Sequence, residues 1–306
     1  MRQPPAKTPD MVNNEIHAIG QRIKHRQRQS RQDIQYRHEK TLFGKQIAGT
    51  ESTQMATGAS LSDLTTRGKQ ITSASLALEK LVLETGEISV WQVRLDLDAQ
   101  EVMKCAENLS GDELLRARRY RFEADRRRFV VARGLLRRRL AVQLNESPAA
   151  LAFRYARSGK PYLDTGAAPV YFNVSHSEER ALIATSGNCQ LGVDIEYLNR
   201  PVECEKLARR FFTENECAAL MNIPPARRKQ AFLSCWTRKE AVAKALGDGL
   251  SMSFRQFEIA IDPDDAPRII APGDDRIDHC TLYDQAIETD YVASIAAYRG
   301  PPAQMF

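Results

Sequence analysis

Asp194 and Glu196 stand two residues apart in the run Leu191-Gly192-Val193-Asp194-Ile195-Glu196. The run is apolar enough to be a buried strand, and a strand sends alternate side chains to opposite faces. Both carboxylates therefore share one face with Gly192, and Val193 and Ile195 share the other. Two carboxylates on one spot repel unless a cation or proton intervenes. Oxygen ligands favour a hard dication, magnesium or manganese, shared with substrate phosphates. Gly192 removes bulk from that face, so something is expected to approach closely there. Taken alone, such a pair is more often two acids at a strand end.

A second segment carries Trp236, Lys239, Glu240 and Lys244. Trp236, Glu240 and Lys244 are spaced by four and share one face of a helix. A Glu-to-Lys pair at that spacing often only supports its helix. Lys239 strengthens the functional reading, since a third carboxylate and two ammonium groups suit a diphosphate beside a metal. A third segment, Phe172-Asn173-Val174-Ser175-His176, ends a strand before a turn at Ser177-Glu178-Glu179. No second His lies at metal spacing and no Ser/His/Asp pattern marks a nucleophile.

The elements that must position these groups follow from periodicity. A largely buried strand is expected over 87–95, and Ser110 caps a helix carrying Asp112 and Glu113 in its first turn. A long helix is expected over 123–144, with Phe129, Ala132, Leu136 and Leu140 as its buried stripe. Short strands follow over 151–155, 170–174, 181–185 and 191–197. Helices are expected over 203–210 and 214–221, then a long one over 227–246 that stops at Gly247. Strands close the chain over 254–261, 280–283 and 291–298. Each half is thus a long helix followed by short antiparallel strands. The fold class expected is α+β, a pseudo-two-fold pair of similar halves. The domains are a disordered basic extension over 1–85 and two α+β halves over 86–188 and 189–306.

The chain has 306 residues and a formal net charge of +5. Residues 1–85 hold 13 Lys/Arg and 8 Asp/Glu, so the excess positive charge lies there and the remainder balances at zero. That segment is poor in large apolar residues, which predicts disorder, with a fraying helix near residues 14–40. No apolar run is long enough to span a membrane, and the N-terminus lacks a secretory pattern. Six scattered cysteines without a CxxC pair fit reduced thiols and a cytoplasmic location.

Together these segments resemble the 4'-phosphopantetheinyl transferase superfamily, in its larger single-chain, surfactin-synthetase-activating class. The resemblance rests on Gly192-Val193-Asp194-Ile195-Glu196 and on Trp236-Thr237-Arg238-Lys239-Glu240-Ala241-Val242-Ala243-Lys244. Gly159-Lys160-Pro161-Tyr162, Asn173-Val174-Ser175-His176-Ser177, Arg210-Phe211-Phe212-Thr213 with Glu216, Phe122 with Asp125 and Arg128, and Gly249-Leu250-Ser251 add to it. It covers roughly residues 87–298 and leaves the tail aside.

The resemblance implies transfer of the 4'-phosphopantetheine of coenzyme A to a serine of an apo carrier protein (acyl, peptidyl or aryl), releasing 3',5'-ADP. It implies that Asp194, Glu196 and Glu240 bind Mg2+, or Mn2+, with the diphosphate. Lys244 and Lys239 neutralise phosphate charge, while Ser175 and His176 belong to the nucleotide site, His176 at the 3'-phosphate. Lys160 and Pro161 line the adenine pocket. Arg128 reaches the 3'-phosphate, and either Arg116 or Glu113 occupies a further position that is basic in the family. Glu240 is the expected base for the serine, with a metal-bound water relayed by Glu196 as the alternative. Lys244 is placed to protonate the leaving group.

A monomer is expected, without membrane or nucleic-acid partners. Arg209, Arg210, Arg227, Arg228 and Lys229 are expected to face the carrier's acidic helix. The competing readings are an Arg-rich nucleic-acid-binding protein, opposed by the neutral core, and a relative that has lost catalysis, opposed by the intact carboxylates and Lys244.

Overall fold

The computed structural model describes residues 78–81 and 87–301, apart from 164, 166–168 and 250–251. The expected disorder and helix within residues 1–77, and Leu250 and Ser251, lie outside the described residues.

The first half runs β1 (Leu78–Leu81), β2 (Ile88–Arg94), α1 (Ala99–Ala106), α2 (Gly111–Ala117), α3 (Glu123–Leu144), β3 (Phe153–Tyr155), β4 (Pro161–Leu163), β5 (Tyr171–Ser177) and β6 (Arg180–Ser186). The second runs β7 (Gln190–Tyr197), α4 (Cys204–Phe211), α5 (Glu214–Asn222), α6 (Pro225–Leu246), β8 (Glu258–Ile259), β9 (Ile269–Ala271), β10 (Cys280–Asp284) and β11 (Tyr291–Tyr298). From β2 and from β7 onward the same order repeats: strand, two short helices, a long helix, a small hairpin and two strands. The sheets repeat as well, ordered β1-β2-β6-β5 and β10-β11-β7, with every pairing antiparallel. This is the α+β architecture of two similar halves that the periodicity predicts. Helices α1 and the strands β4 and β9 were not expected; α1 is brief, and β4 and β9 are three residues each, too short to show a period.

Alternation explains how the halves join. In β7, Leu191, Val193 and Ile195 face Ile88 and Val90 of β2 and Leu182 and Ala184 of β6, forming an apolar layer between the sheets. The other faces of β2 and β6 present Trp91, Val93, Ala181 and Ile183 to a core with Val131, Leu135 and Leu136 of α3. A second core surrounds α6, with Phe212, Phe232, Trp236 and Phe254 in ring contact. Burying β2 and β6 on both faces is why their sequences are apolar in both registers. Helix α6 starts with Pro225, whose fixed φ suits the first turn, and stops at Gly247, whose φ of 78° ends it in the left-handed region.

Strands β5 and β7 lie side by side in the same direction without a backbone ladder. Side chains bridge them instead. Asn173 Oδ1 accepts from the Val193 N–H at 2.9 Å, Ser175 Oγ donates to Asp194 at 2.8 Å, and Ser177 Oγ accepts from the Tyr197 N–H at 3.1 Å. Alternate residues of β5 thus hold the edge of the second half in register. Among the described residues no helix is long and apolar enough to cross a membrane.

Strand β1 lies inside the segment expected to be a tail, and it pairs Leu78–Leu81 with Val90–Val93. Ordered structure therefore begins earlier than residue 87. Deleting residues 1–77 keeps this strand, whereas deleting 1–86 leaves the β2 edge groups unpaired. The longer deletion is expected to melt several degrees below the shorter one by scanning calorimetry. Equal melting temperatures would show that β1 contributes nothing.

Candidate functional site

The site forms where α6 crosses β7. A Cβ on Gly192 would lie 1.9 Å from the Ala241 carbonyl oxygen and 2.4 Å from the Ala245 nitrogen. The object approaching Gly192 is therefore the helix itself, and any larger residue would push it away. That contact lays Lys244 over the face carrying Asp194 and Glu196, and Glu240 precedes it by one turn of α6. Asp194, Glu196 and Glu240 are all buried.

Each strand acid has its own partners. The Lys244 ammonium donates to Asp194 Oδ1, to the Val193 carbonyl at 3.0 Å and to Ser175 Oγ at 3.2 Å. Ser175 Oγ donates to the same Asp194 oxygen. The other oxygen, Oδ2, is buried and has no hydrogen-bond partner. A buried carboxylate oxygen left without a donor costs free energy unless a cation completes it, so this donor fits a hard metal ion. Glu196 Oε2 accepts from Ser177 Oγ at 3.1 Å and is ion-paired with Arg200. Arg200 was not anticipated. It sits in the turn after β7, where spacing rules for strands and helices give no signal. The expected three-carboxylate cage is not preassembled: among the described residues no three His, Cys, Asp or Glu side chains are gathered tightly enough to hold a metal.

His176 lies between Ser175 and Ser177 on β5 and points the other way, to an exposed position. Local desolvation and then the charges of Lys244 and Arg128 hold its pKa below the usual imidazole value. Arg128 of α3 is paired with Glu179 at 2.7 Å and Glu178 at 3.0 Å in the β5–β6 turn. Desolvation opposes its charge, but Glu179 and Glu178 outweigh it and raise its pKa. A phosphate at Arg128 must therefore displace or share these acids.

Two expected site lysines have other employment. The Lys160 ammonium donates to the carbonyls of Lys244 at 2.6 Å, Leu191 at 2.9 Å and Ala245 at 3.4 Å. It caps the C-terminus of α6, where a cation complements the helix dipole, and burial pushes its pKa down to about 8. Its ammonium therefore faces backbone carbonyls and not an open pocket, and Pro161 is half-buried at the start of β4. Lys239 is fully buried and donates to the carbonyls of Phe254 at 2.7 Å and Phe257 at 2.6 Å, and it ion-pairs with Glu216 at 2.8 Å. All three of its N–H groups are used, so the expected phosphate contact is corrected: this ammonium faces the core.

The first half shows why. Glu113 accepts from the Ser110 N–H at the start of α2 and binds Arg133 and Arg137 of α3 at 2.6 Å each. Glu216 does the same at the start of α5 and binds Lys239. Arg137 and Lys239 each lie 14 residues after the first residue of their long helix. They are equivalent anchors in the repeat. Glu113 is thereby structural, and Arg116 is exposed, over the Phe129 ring at 5.3 Å.

Comparison with known proteins bears on this arrangement. Residues 91–188 match the family profile described as 4'-phosphopantetheinyl transferase, N-terminal, and residues 190–296 match that of the 4'-phosphopantetheinyl transferase superfamily. The 4'-phosphopantetheinyl transferase HetI of Nostoc is 38% identical over 191 residues, which is 62% of this chain and 80% of that protein. The chain belongs to the 4'-phosphopantetheinyl transferase superfamily. It is of the larger single-chain type, since both halves match in succession. A Bacillus subtilis 4'-phosphopantetheinyl transferase is 27% identical over 69% of this chain and 92% of its own length. The Thermotoga maritima holo-[acyl-carrier-protein] synthase overlaps 36% of this chain and 63% of its own with a TM-score of 0.29 and 21% identity, too slight to bear on the fold.

The Lys239 assignment makes a stability prediction. Lys239→Met leaves the Glu216 carboxylate buried without its cation, which costs about 3–5 kcal/mol. Urea unfolding is expected to show that loss. A variant as stable as the parent but devoid of transfer activity would return Lys239 to the reacting centre.

Proposed function

We propose that this enzyme moves the 4'-phosphopantetheine group of coenzyme A onto a serine of an apo acyl, peptidyl or aryl carrier protein and releases 3',5'-ADP. The observation that carries this reading is the buried, unpartnered Oδ2 of Asp194 beside the Lys244 ammonium at the seam of the halves. The donor set suits Mg2+, or Mn2+, held by Asp194, Glu196 and Glu240 with the diphosphate. Such an ion, when bound, withdraws charge from the phosphate oxygens as the bridging bond breaks.

The chain's own residues supply the rest. The serine hydroxyl attacks the phosphorus that bears the pantetheine arm, and the bond to the bridging oxygen breaks. The hydroxyl is a weak nucleophile, so a base must take its proton. Glu240 is that base, directly or through a water; Glu196, which binds Arg200 and Ser177 Oγ, is the alternative. Lys244 neutralises the departing 3',5'-ADP and gives it a proton. His176 and Arg128 flank the position of the 3'-phosphate, with Ser175 fixing the floor and Pro161 beside the adenine. The first half, 86–188, then contributes nucleotide contacts, and the second, 189–306, the acids. This reading takes the enzyme as a cytoplasmic monomer acting on neither nucleic acid nor membrane. The six free thiols agree with a reducing compartment.

Asp194→Asn and Glu240→Gln are expected to lower transfer at least about a hundredfold while both variants still unfold cooperatively, Asp194→Asn at a lower temperature because it removes the partner of Lys244. Intact-mass analysis of an apo carrier with coenzyme A and magnesium reads the outcome. Near-parental transfer by either variant would remove that residue from the metal and base assignments.

The carrier surface needs revision in detail. Arg227 is paired with Asp264 and Asp262, and Arg228 holds the carbonyls of Met221 and Ile223 and the carboxylate of Glu205. Both secure their own fold. Lys206, Arg209, Arg210, Arg228 and Lys229 line a cavity of about 850 Å³ between α4 and the start of α6 together with Glu203 and Glu205, which pair with Lys206 at 2.9 Å and Arg209 at 3.5 Å, so basic groups outnumber acids in the lining. An acidic helix fits this charge. Lys206→Glu with Lys229→Glu is expected to raise the Michaelis constant for the carrier severalfold at low salt and leave that for coenzyme A unchanged. Added salt should shrink the difference; an unaltered carrier constant places docking elsewhere.

A further inference from the structure

The β5–β6 turn takes no part in the chemistry derived above, yet it holds Arg128. Nη2 of Arg128 meets two carboxylates, Glu179 at 2.7 Å and Glu178 at 3.0 Å, and Nη1 meets Asp125 at 3.5 Å. Two carboxylates on one nitrogen repel each other, and the cation between them keeps them there. Together they bring two negative charges and several acceptor oxygens to one guanidinium, as a phosphate dianion would. The imitation is incomplete. Nε and Nη2 lie on the same edge of a guanidinium and bind two oxygens of a phosphate side by side. Here Nε is buried and has no hydrogen-bond partner. A buried N–H without an acceptor is costly, and a phosphate that took this edge would satisfy it.

The turn is built so that its side chains can leave while its backbone stays. The Glu179 carbonyl accepts from the Leu95 N–H at 3.0 Å, and the neighbouring Arg180 is paired with Glu288 at 2.9 Å. Both glutamate side chains are partly exposed, so each can swing into water. Glu178 also holds a φ of 47°, in the left-handed region that suits glycine. A glycine there would ease the backbone but bring no carboxylate to Arg128.

We propose that Glu178 and Glu179 are specificity-determining residues that stand in for a phosphate at Arg128 in the substrate-free enzyme. The 3'-phosphate of coenzyme A must displace them, and the contacts it breaks offset part of its attraction to Arg128. The two acids therefore weaken the preference for coenzyme A over dephospho-coenzyme A, which has a hydroxyl in place of that phosphate. This selectivity rests on the placement of the 3'-phosphate at Arg128 proposed above.

The test is calorimetric titration of the purified full-length protein with coenzyme A and with dephospho-coenzyme A, magnesium present. The two ligands share the diphosphate and the pantetheine arm, so the ratio of their dissociation constants isolates the 3'-phosphate. Glu178→Gln combined with Glu179→Gln is expected to tighten coenzyme A at least about fivefold and to leave dephospho-coenzyme A unchanged. Glu146→Gln, an exposed acid just past the other end of α3, should alter neither constant. Arg128→Gln should bring the two constants closer together. A folded glutamine pair that binds both ligands as the parent does, or tightens both equally, overturns the proposal, as does an equal gain from Glu146→Gln. If Arg128→Gln narrows the ratio and the glutamine pair brings no gain, the displacement alone is rejected. If Arg128→Gln leaves the parent ratio unchanged, the 3'-phosphate lies elsewhere and the placement at Arg128 falls together with the proposal. Binding of neither ligand by the parent overturns the coenzyme A reading itself.

Discussion

The site depends on the approach of α6 to β7 at Gly192. The strand carries two acids and the helix carries Glu240 and Lys244, and neither element alone brings these groups together. Only a residue without a Cβ lets the Ala241 carbonyl and the Ala245 nitrogen come so close. The Lys160 ammonium fastens the same junction from the first half by binding carbonyls of both β7 and α6. The charged groups are therefore fixed by backbone packing and capping, which suits a reaction that needs preorganised charge more than covalent chemistry.

The seam between β5 and β7 shows how two similar halves become one enzyme. A backbone ladder would join the sheets but leave no side chain committed to the acids. Here Ser175 and Ser177 bridge the strands and orient Asp194 and Glu196 in the same contacts. The join and the site are thus one set of hydrogen bonds. Loss of register at the seam would disturb both carboxylates together.

The repeat also separates scaffold from chemistry. Glu113 with Arg137 and Glu216 with Lys239 are equivalent buried pairs that tie a short helix to the long one after it. Buried ion pairs are costly to break, because one partner is left charged in the interior. Next to Lys239, Glu240 lies on the face that meets β7. Adjacent helical residues thus face different surroundings because a helix turns by about 100° per residue.

Much of the fold was legible from period alone. The helix over 123–144 and the end of α6 at Gly247 stand where the apolar stripe and glycine put them. The shared face of Asp194 and Glu196 follows from strand alternation, and the spacing of Glu240 and Lys244 from helical repeat. Local geometry determines these, so sequence suffices. Tertiary packing decided the rest. Lys239 and Glu240 are neighbours of equal polarity in the sequence, and only the position of Glu216, brought from 23 residues away, sends the lysine inward. Lys160 turned toward the helix end for the same reason: its partners are carbonyls, which every residue has and no motif records. Strand β1 formed because β2 offered a free edge. Arg200 reaches Glu196 through an irregular turn that has no period to read. Residue types and local periods specify which groups can react and which face they share. Which cation meets which acid is settled by long-range packing, because ion pairs in the interior form wherever the backbone brings opposite charges together.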